Sequence, residues 1–170
     1  MWRRIVKLVV GLSLAVGAIG IIFMVGMRTK SPLVLNAVRR TSRATKRFVL
    51  RSSGTPGGIA SVVQHVGRTT GRPYETPVSA VATDGGFVIA LPYGSNTDWL
   101  KNVLGRRSAT IVHEGATYRV DRPEIVPMSV AAPFFSPKDQ RTHRRFRVDQ
   151  CLLVRRAVPD EATEQVADPG

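Results

Sequence analysis

The sequence predicts a mainly β domain, six strands forming a small barrel with a few helices, placed behind one N-terminal transmembrane helix. Three observations carry this expectation: short alternating apolar runs between Ile59 and Val158, glycine turns that join them, and an uncharged stretch of bilayer length near the start.

The chain has 170 residues, enough for one domain of ordinary size, and a formal charge of +13. Such a surplus draws a protein toward phosphates, carboxylate-rich ligands or anionic lipid, and does not choose among them. Cys151 is the sole cysteine, which excludes an intramolecular disulfide and a cysteine-based metal site within one chain. His65, His113 and His143 show no metal-ligand spacing, so no metal is expected.

Residues 5–27 are expected to form the transmembrane helix. Leu8 to Met27 carries no charge, and at about 1.5 Å per residue a helix of that length covers roughly the 30 Å of a hydrocarbon core. A cleaved signal would end on small residues, whereas this run ends in Gly26-Met27-Arg28-Thr29-Lys30. Arg3-Arg4 is followed by Ile5-Val6-Lys7, a poor match to a twin-arginine signal. The larger cation cluster follows the span, at Arg28, Lys30, Arg39, Arg40, Arg43, Lys46 and Arg47. A single-pass protein of the cell membrane with its folded domain in the cytoplasm is therefore expected.

Residues 28–58 read as a basic juxtamembrane helix and linker, ending in a flexible hinge from Ser52 to Gly58. Cations just past a membrane exit are attracted to anionic head groups by about 1 kcal/mol each. Contact with lipid fits this segment better than nucleic acid, which would favour interleaved aromatics where only Phe48 occurs. Residues 159–170, with Asp160, Glu161, Glu164 and Asp168, are expected to be a disordered acidic tail.

Between them, residues 59–158 hold the expected strands: Ser61 to Val66, Glu75 to Thr83, Phe87 to Leu91, Thr110 to His113, Tyr118 to Val126 and Gln150 to Val158. Asp84-Gly85-Gly86 and Glu114-Gly115 supply hairpin turns. Asn96 or Thr97 caps a short helix with Trp99, Leu100, Val103 and Leu104 on one side, and a very basic helical stretch runs from Lys138 to Arg147.

Two segments can bind an anion. Gly67-Arg68-Thr69-Thr70-Gly71-Arg72-Pro73 combines backbone N–H groups, hydroxyls and guanidiniums in one turn, though an ordinary hairpin connection would look similar. Pro92 to Trp99 carries a glycine loop into a helix N-terminus, where unpaired amides favour negative charge. No Ser-His-Asp arrangement or carboxylate pair is present, so a bound cofactor would have to supply the reactive atom. Tyr74, Tyr93 and His65 are candidate catalytic proton donors by chemistry alone.

Three blocks in order, G-R-T-T-G-R-P-Y-E-T-P-V at Gly67 to Val78, D-G-G-F-V-I-A at Asp84 to Ala90, and Y-G-S-N-T-D-W-L-K-N-V at Tyr93 to Val103, resemble the deazaflavin-dependent nitroreductase family. The resemblance implies a flavin-reductase-like split β-barrel over residues 59–158, coenzyme F420 as cofactor, and hydride transfer to an organic acceptor such as a quinone or nitro compound. It assigns coenzyme contacts to Arg68, Thr69, Thr70, Gly71 and Arg72 around the phosphate, to Thr76 and Pro77 along the ring, and to Tyr93, Gly94, Trp99 and Asn102 at the edge of the pocket. Many relatives carry Lys at the position of Thr69, a lost charge that Arg68 and Arg72 can offset. The N-terminal span suits a lipophilic acceptor such as a membrane quinone. FMN on the same barrel is the alternative cofactor, a non-catalytic membrane-tethered cofactor-binding protein is the alternative function, and a homodimer is a family expectation.

Overall fold

The computed structural model describes Trp2 and residues 19–157, with backbone alone for 39–48. The tail expected at 159–170 and most of the span expected at 5–27 lie outside the described residues. Helix α1 runs over Ile19–Arg28 and α2 over Pro32–Ser52. Among the described residues no single helix is long and apolar enough to cross a membrane; α1 and the start of α2 pass that test only as a pair, bent by 108°. The bend falls where Lys30 takes a left-handed φ of 55° and Pro32 opens α2 without needing an N–H partner. Gly26 permits the crossing, because a Cβ there would run into the Val34 side chain.

Seven strands follow, one more than the sequence predicts: β1 Ser61–Val66, β2 Pro73–Val78, β3 Ala80–Thr83, β4 Gly86–Ala90, β5 Ser108–His113, β6 Ala116–Pro127 and β7 Gln150–Arg156. All pair antiparallel in one sheet of order β2-β1-β5-β6-β7-β4-β3. The run expected as one strand from Glu75 to Thr83 is broken at Ser79, since its first half pairs with β1 and its second with β4. β2 and β3 are therefore the opposite edges of the sheet, yet one residue joins them. A residue reaches only about 3.5 Å, so the sheet has to curl until its edges approach, giving a half-barrel. Pro73 and Pro77 lie in β2, where an edge strand tolerates their missing N–H groups.

Alternation along the strands builds two cores. Val63, Phe87, Ile89, Ile111, Val120, Leu152 and Val154 point inward and meet Leu100 and Val103 of α3, Asp98–Arg106. Val88, Ala90, Val126 and Cys151 point outward, under Ala131 of α4 (Met128–Ala131) and under Phe135 and Val148, which flank helix α5 (Pro137–Arg145). Covered on both faces, β4 is buried at every residue. The Cys151 thiol is fully buried, and desolvation pushes its pKa up to about 11, so it stays protonated and unreactive.

Two local expectations require correction. Thr97 occupies the N-cap position of α3, but its hydroxyl makes no cap bond; Asp98 in the first turn supplies the charge that favours that end. The segment after α2 is no hinge. Ser53 Oγ donates to Val49 O at 2.7 Å, Gly54 N to Ala60 O at 2.7 Å and Gly57 N to Glu114 Oε2 at 2.8 Å, which fastens the linker to the β5–β6 turn. Gly54 has φ of 77°, and a Cβ there would stand 2.8 Å from Val112 Cγ1. Gly54→Ala is expected to cost about 1–2 kcal/mol and to open the linker to protease, measured by thermal melting and limited proteolysis.

None of the residues of α5 is buried, which leaves its arginines in solvent. Ser136 caps it by accepting from Asp139 N at 3.2 Å. His143 leans edge-on against Phe135, with ring centroids 4.6 Å apart, and its Nδ1 is buried without a partner. Burial lowers the pKa of His143 below its ordinary 6.5, against a smaller raising effect of Asp139. The unfolded chain therefore binds the proton more readily, and stability is expected to decline as pH falls below about 6.5 through the lowered folded value. His143→Gln should flatten that part of a stability-versus-pH curve.

Candidate functional site

β1 ends at Val66, and the chain turns back through Gly67 to Pro73 to start β2. The turn is closed by Gly67 N donating to Arg72 O at 2.8 Å and Gly71 N to Gly67 O at 3.0 Å. Gly67 is required by close approach, since a Cβ would strike Thr70 Oγ1 and lie 2.9 Å from Tyr74 Cε2. Gly71 is required by its φ of 65°. Arg68, Thr69, Thr70, Gly71 and Arg72 are all solvent-exposed.

Asn102 of α3 joins this turn to the sheet. Buried to 6% exposure, its Oδ1 accepts from Arg68 N at 3.1 Å and from Arg68 Nη1 at 2.9 Å. Both partners are donors only, so the amide nitrogen faces the other way, toward His65 Nδ1 at 3.2 Å. His65 Nδ1 then accepts, and the ring proton sits on Nε2, which donates to Thr76 Oγ1 at 3.1 Å. These bonds select one neutral tautomer of His65. Tyr74, its cross-strand partner, stacks on the imidazole at 5.8 Å and shares a 3.2 Å hydroxyl contact with Thr70. Arg68 also pairs with Asp98 at 3.2 Å, but side chains 37% and 79% exposed make that ion pair worth at most about 1 kcal/mol.

Of two cavities, the larger borders these residues and the smaller does not. The larger, about 1390 Å³, is lined by His65, Val66, Pro73 and Tyr74, by Ser108, Thr110 and Tyr118 on β5 and β6, and by Arg106, Arg119 and Arg156. The guanidinium of Arg156 lies 4.7 Å above the Tyr118 ring and 5.7 Å from that of Phe87. Among the described residues no carboxylate holds Arg106, Arg119 or Arg156. The smaller cavity, about 470 Å³, is lined by Lys30, Leu91, Gly94, Ile125, Val126, Pro127, Asp149 and Gln150.

The structure thus brings together His65, Tyr74, Thr76, Asn102 and the Arg68–Arg72 turn. Pro77 follows in β2. Trp99 packs against the inner core from α3, and Tyr93 is half-buried before it. Gly94 lines the smaller cavity, apart from the His65 group. Sequence reading did not single out Arg106, Arg119, Tyr118 or Arg156. Arg156 meets Tyr118 because Val120 of β6 pairs with Arg156 of β7, a register that no short motif announces.

No family model matches the chain, and no curated protein matches it in sequence. Solved structures do. The chain is similar in structure to F420-H2-dependent reductases. One, the F420-H2 dependent reductase FDR-A, is 12% identical with a TM-score of 0.42, covering 55% of this chain and 91% of its own. A domain-swapped dimer is 13% identical with a TM-score of 0.43, covering 69% and 98%. The heme storage protein HutZ from Vibrio cholerae is 9% identical with a TM-score of 0.42, covering 68% and 89%. These matches include a reductase and a heme storage protein alike.

Proposed function

We propose that this domain binds coenzyme F420 beside the Gly67–Pro73 turn and hands its hydride to an organic acceptor, a quinone or nitro compound. The observation that carries this reading is the Arg68–Asn102–His65–Thr76 chain of hydrogen bonds, which ties the cationic turn to His65; His65, with Val66 and Pro73 that flank the turn, lines a cavity that holds three further arginines beside Glu75 and Asp121. The donor set fits the group: exposed guanidiniums and hydroxyls suit a phosphodiester and a carboxylate tail, while Tyr74, Pro73 and Val66 offer flat apolar surface to a ring. When bound, the coenzyme supplies the hydride.

The chain's own residues bind, orient and move a proton. Arg72, the Thr69 hydroxyl and the Thr69 and Thr70 amides would hold the phosphate. Asn102 keeps Arg68 in place, and His65, donating through Nε2 to Thr76, fixes the strand beside the ring. The Tyr74 hydroxyl, 3.2 Å from Thr70 at the exposed rim, is the group positioned to give a proton to a reduced acceptor.

Fluorescence titration of the full chain in detergent should show tighter binding of coenzyme F420 than of FMN, weakened about tenfold or more in Arg72→Ala by loss of charge-assisted bonds. Stronger binding of FMN, or none of either, overturns the reading. Tyr74→Phe should leave binding intact and slow turnover. Tight binding without turnover against quinones and nitro compounds would favour a carrier instead.

The reading includes a membrane location with the domain in the cytoplasm. It is supported by the exposed apolar side chains of α1, Ile19, Ile21, Ile22, Phe23 and Val25, which continue the uncharged stretch before them. A C-terminal reporter active only outside the cell would reverse the orientation.

A further inference from the structure

The joint between α1 and α2 is clamped to the half-barrel beside α5. Met27 and Leu35 are buried, Lys30 Nζ donates to Pro92 O at 3.2 Å, and Arg28 Nη1 donates to Arg145 O at 3.1 Å. Arg145 O is one of the carbonyls that the end of α5 leaves without a helical partner. One side of α5 is turned to the protein: Gln140 Nε2 donates to Ala132 O and Phe135 O, and His143 leans on Phe135. Lys138, Arg141 and Arg145, at i, i+3 and i+7, share the opposite side, with Arg144 next to them and Arg147 just beyond, all exposed. Among the described residues no carboxylate forms an ion pair with any of them. Just before α5, Val130 and Phe134 stand four positions apart at 58% and 47% exposure, and Leu33 at the start of α2 is 83% exposed.

We propose that the α4–α5 flank is a second membrane contact, which lays α5 on the anionic phospholipid headgroups of the leaflet where α1 ends; the inference rests on the membrane reading above. Depth carries the argument. Arg28 is the first cation after the uncharged stretch from Leu8 to Met27, so it stands at headgroup level, and its bond to Arg145 O brings the end of α5 to the same level. The helix is only about 13 Å long. At its other end the bare side chains of Val130 and Phe134 suit the boundary between headgroups and acyl chains, so both ends meet the surface and α5 lies flat on it. The cations along it then face lipid phosphates. A second copy of this chain is a poor occupant, because a two-fold contact would set the same cations against each other. A nucleic acid would pair with the cations but leave Val130, Phe134 and Leu33 bare. Docking gives the half-barrel two supports on the leaflet, the joint and α5, in place of a single tether.

The test uses the full chain in lipid nanodiscs. Cys151 is buried and protonated, so a Ser129→Cys variant takes a fluorescent label at that α4 position alone. A nitroxide on the lipid headgroups is expected to quench the label about threefold or more strongly in discs rich in phosphatidylglycerol than in discs of phosphatidylcholine. The difference should shrink as salt rises from about 0.1 M to about 1 M and the Debye length falls from about 10 Å to about 3 Å. Arg141→Glu combined with Arg144→Glu should remove most of it, and Phe134→Ser should lower quenching in both kinds of disc. Equal quenching in the two discs, none in either, or quenching that the charge reversal leaves unchanged overturns the proposal. A label untouched by lipid that responds instead to duplex DNA, or to protein concentration, overturns it in favour of nucleic acid or a second copy. A label at Ile22→Cys on α1 is read in the same discs with an acyl-chain nitroxide. Quenching at Ile22 without quenching at Ser129→Cys removes the α5 contact alone; no quenching at Ile22 removes the membrane reading and the proposal with it.

Discussion

An Asn102→Leu variant is expected to lose about 2–4 kcal/mol of stability and most of its coenzyme affinity. Leucine keeps the heavy-atom branching of asparagine and is somewhat larger, so no cavity forms and the loss measures chiefly polar groups deprived of Asn102 as a partner. Asn102 accepts two N–H groups of Arg68 and donates one to His65. Each buried group stranded in this way costs about 1–3 kcal/mol. The turn would then be tied to α3 only through the exposed contacts of the Arg68 guanidinium with the Asp98 carbonyl and carboxylate. Denaturant unfolding gives the first quantity and coenzyme fluorescence the second. Asn102→Asp separates the halves of the network, because a carboxylate still accepts from Arg68 but offers no donor to His65 Nδ1. Unchanged coenzyme binding in a folded Asn102→Leu protein would mean that this network serves the barrel and not the ligand.

The second large effect is expected from Phe87→Ala, at about 3–5 kcal/mol. Phe87 is completely buried at the centre of the inner core, edge-on to Tyr118 at 5.2 Å and to His113 at 5.5 Å. Removing the ring opens a void in the cluster that Phe87 shares with Val63, Ile111 and Val154 and takes one aromatic face from Arg156. Phe87→Leu, which keeps most of the volume, should cost less than about 1.5 kcal/mol. If both variants melt alike, the core is relaxing around the site and the aromatic contacts contribute little. A drop in coenzyme affinity beyond the loss of stability would trace to Arg156 and Tyr118 at the larger cavity.

How far the site could be read in advance differs by residue. The Arg68–Arg72 turn was legible because it is local: glycines, hydroxyls and guanidiniums within seven residues describe their own geometry. The role of Asn102 as the link between that turn and His65 was not, because its partners lie 34 and 37 positions away. Tyr74 and His65 were chosen for their chemistry, and the β1–β2 register then placed them face to face. The cavity arginines come from α3, β6 and β7 and share no motif.

The fold divides in the same way. Alternation of apolar residues, glycine turns and the apolar face of α3 are properties of short segments, so the sequence alone determined most strand positions; the expected mainly β class is corrected to a mixed α/β one, because α1, α2, α4 and α5 flank the antiparallel sheet. The break at Ser79, the fastening of Gly54 against Gly115 and of Gly57 against Glu114, and the clamped elbow at Lys30 depend on partners far along the chain. Tertiary structure decided these because a backbone N–H is indifferent to which carbonyl it meets. Only the closure of the sheet determines which strand, loop or helix end arrives to accept it.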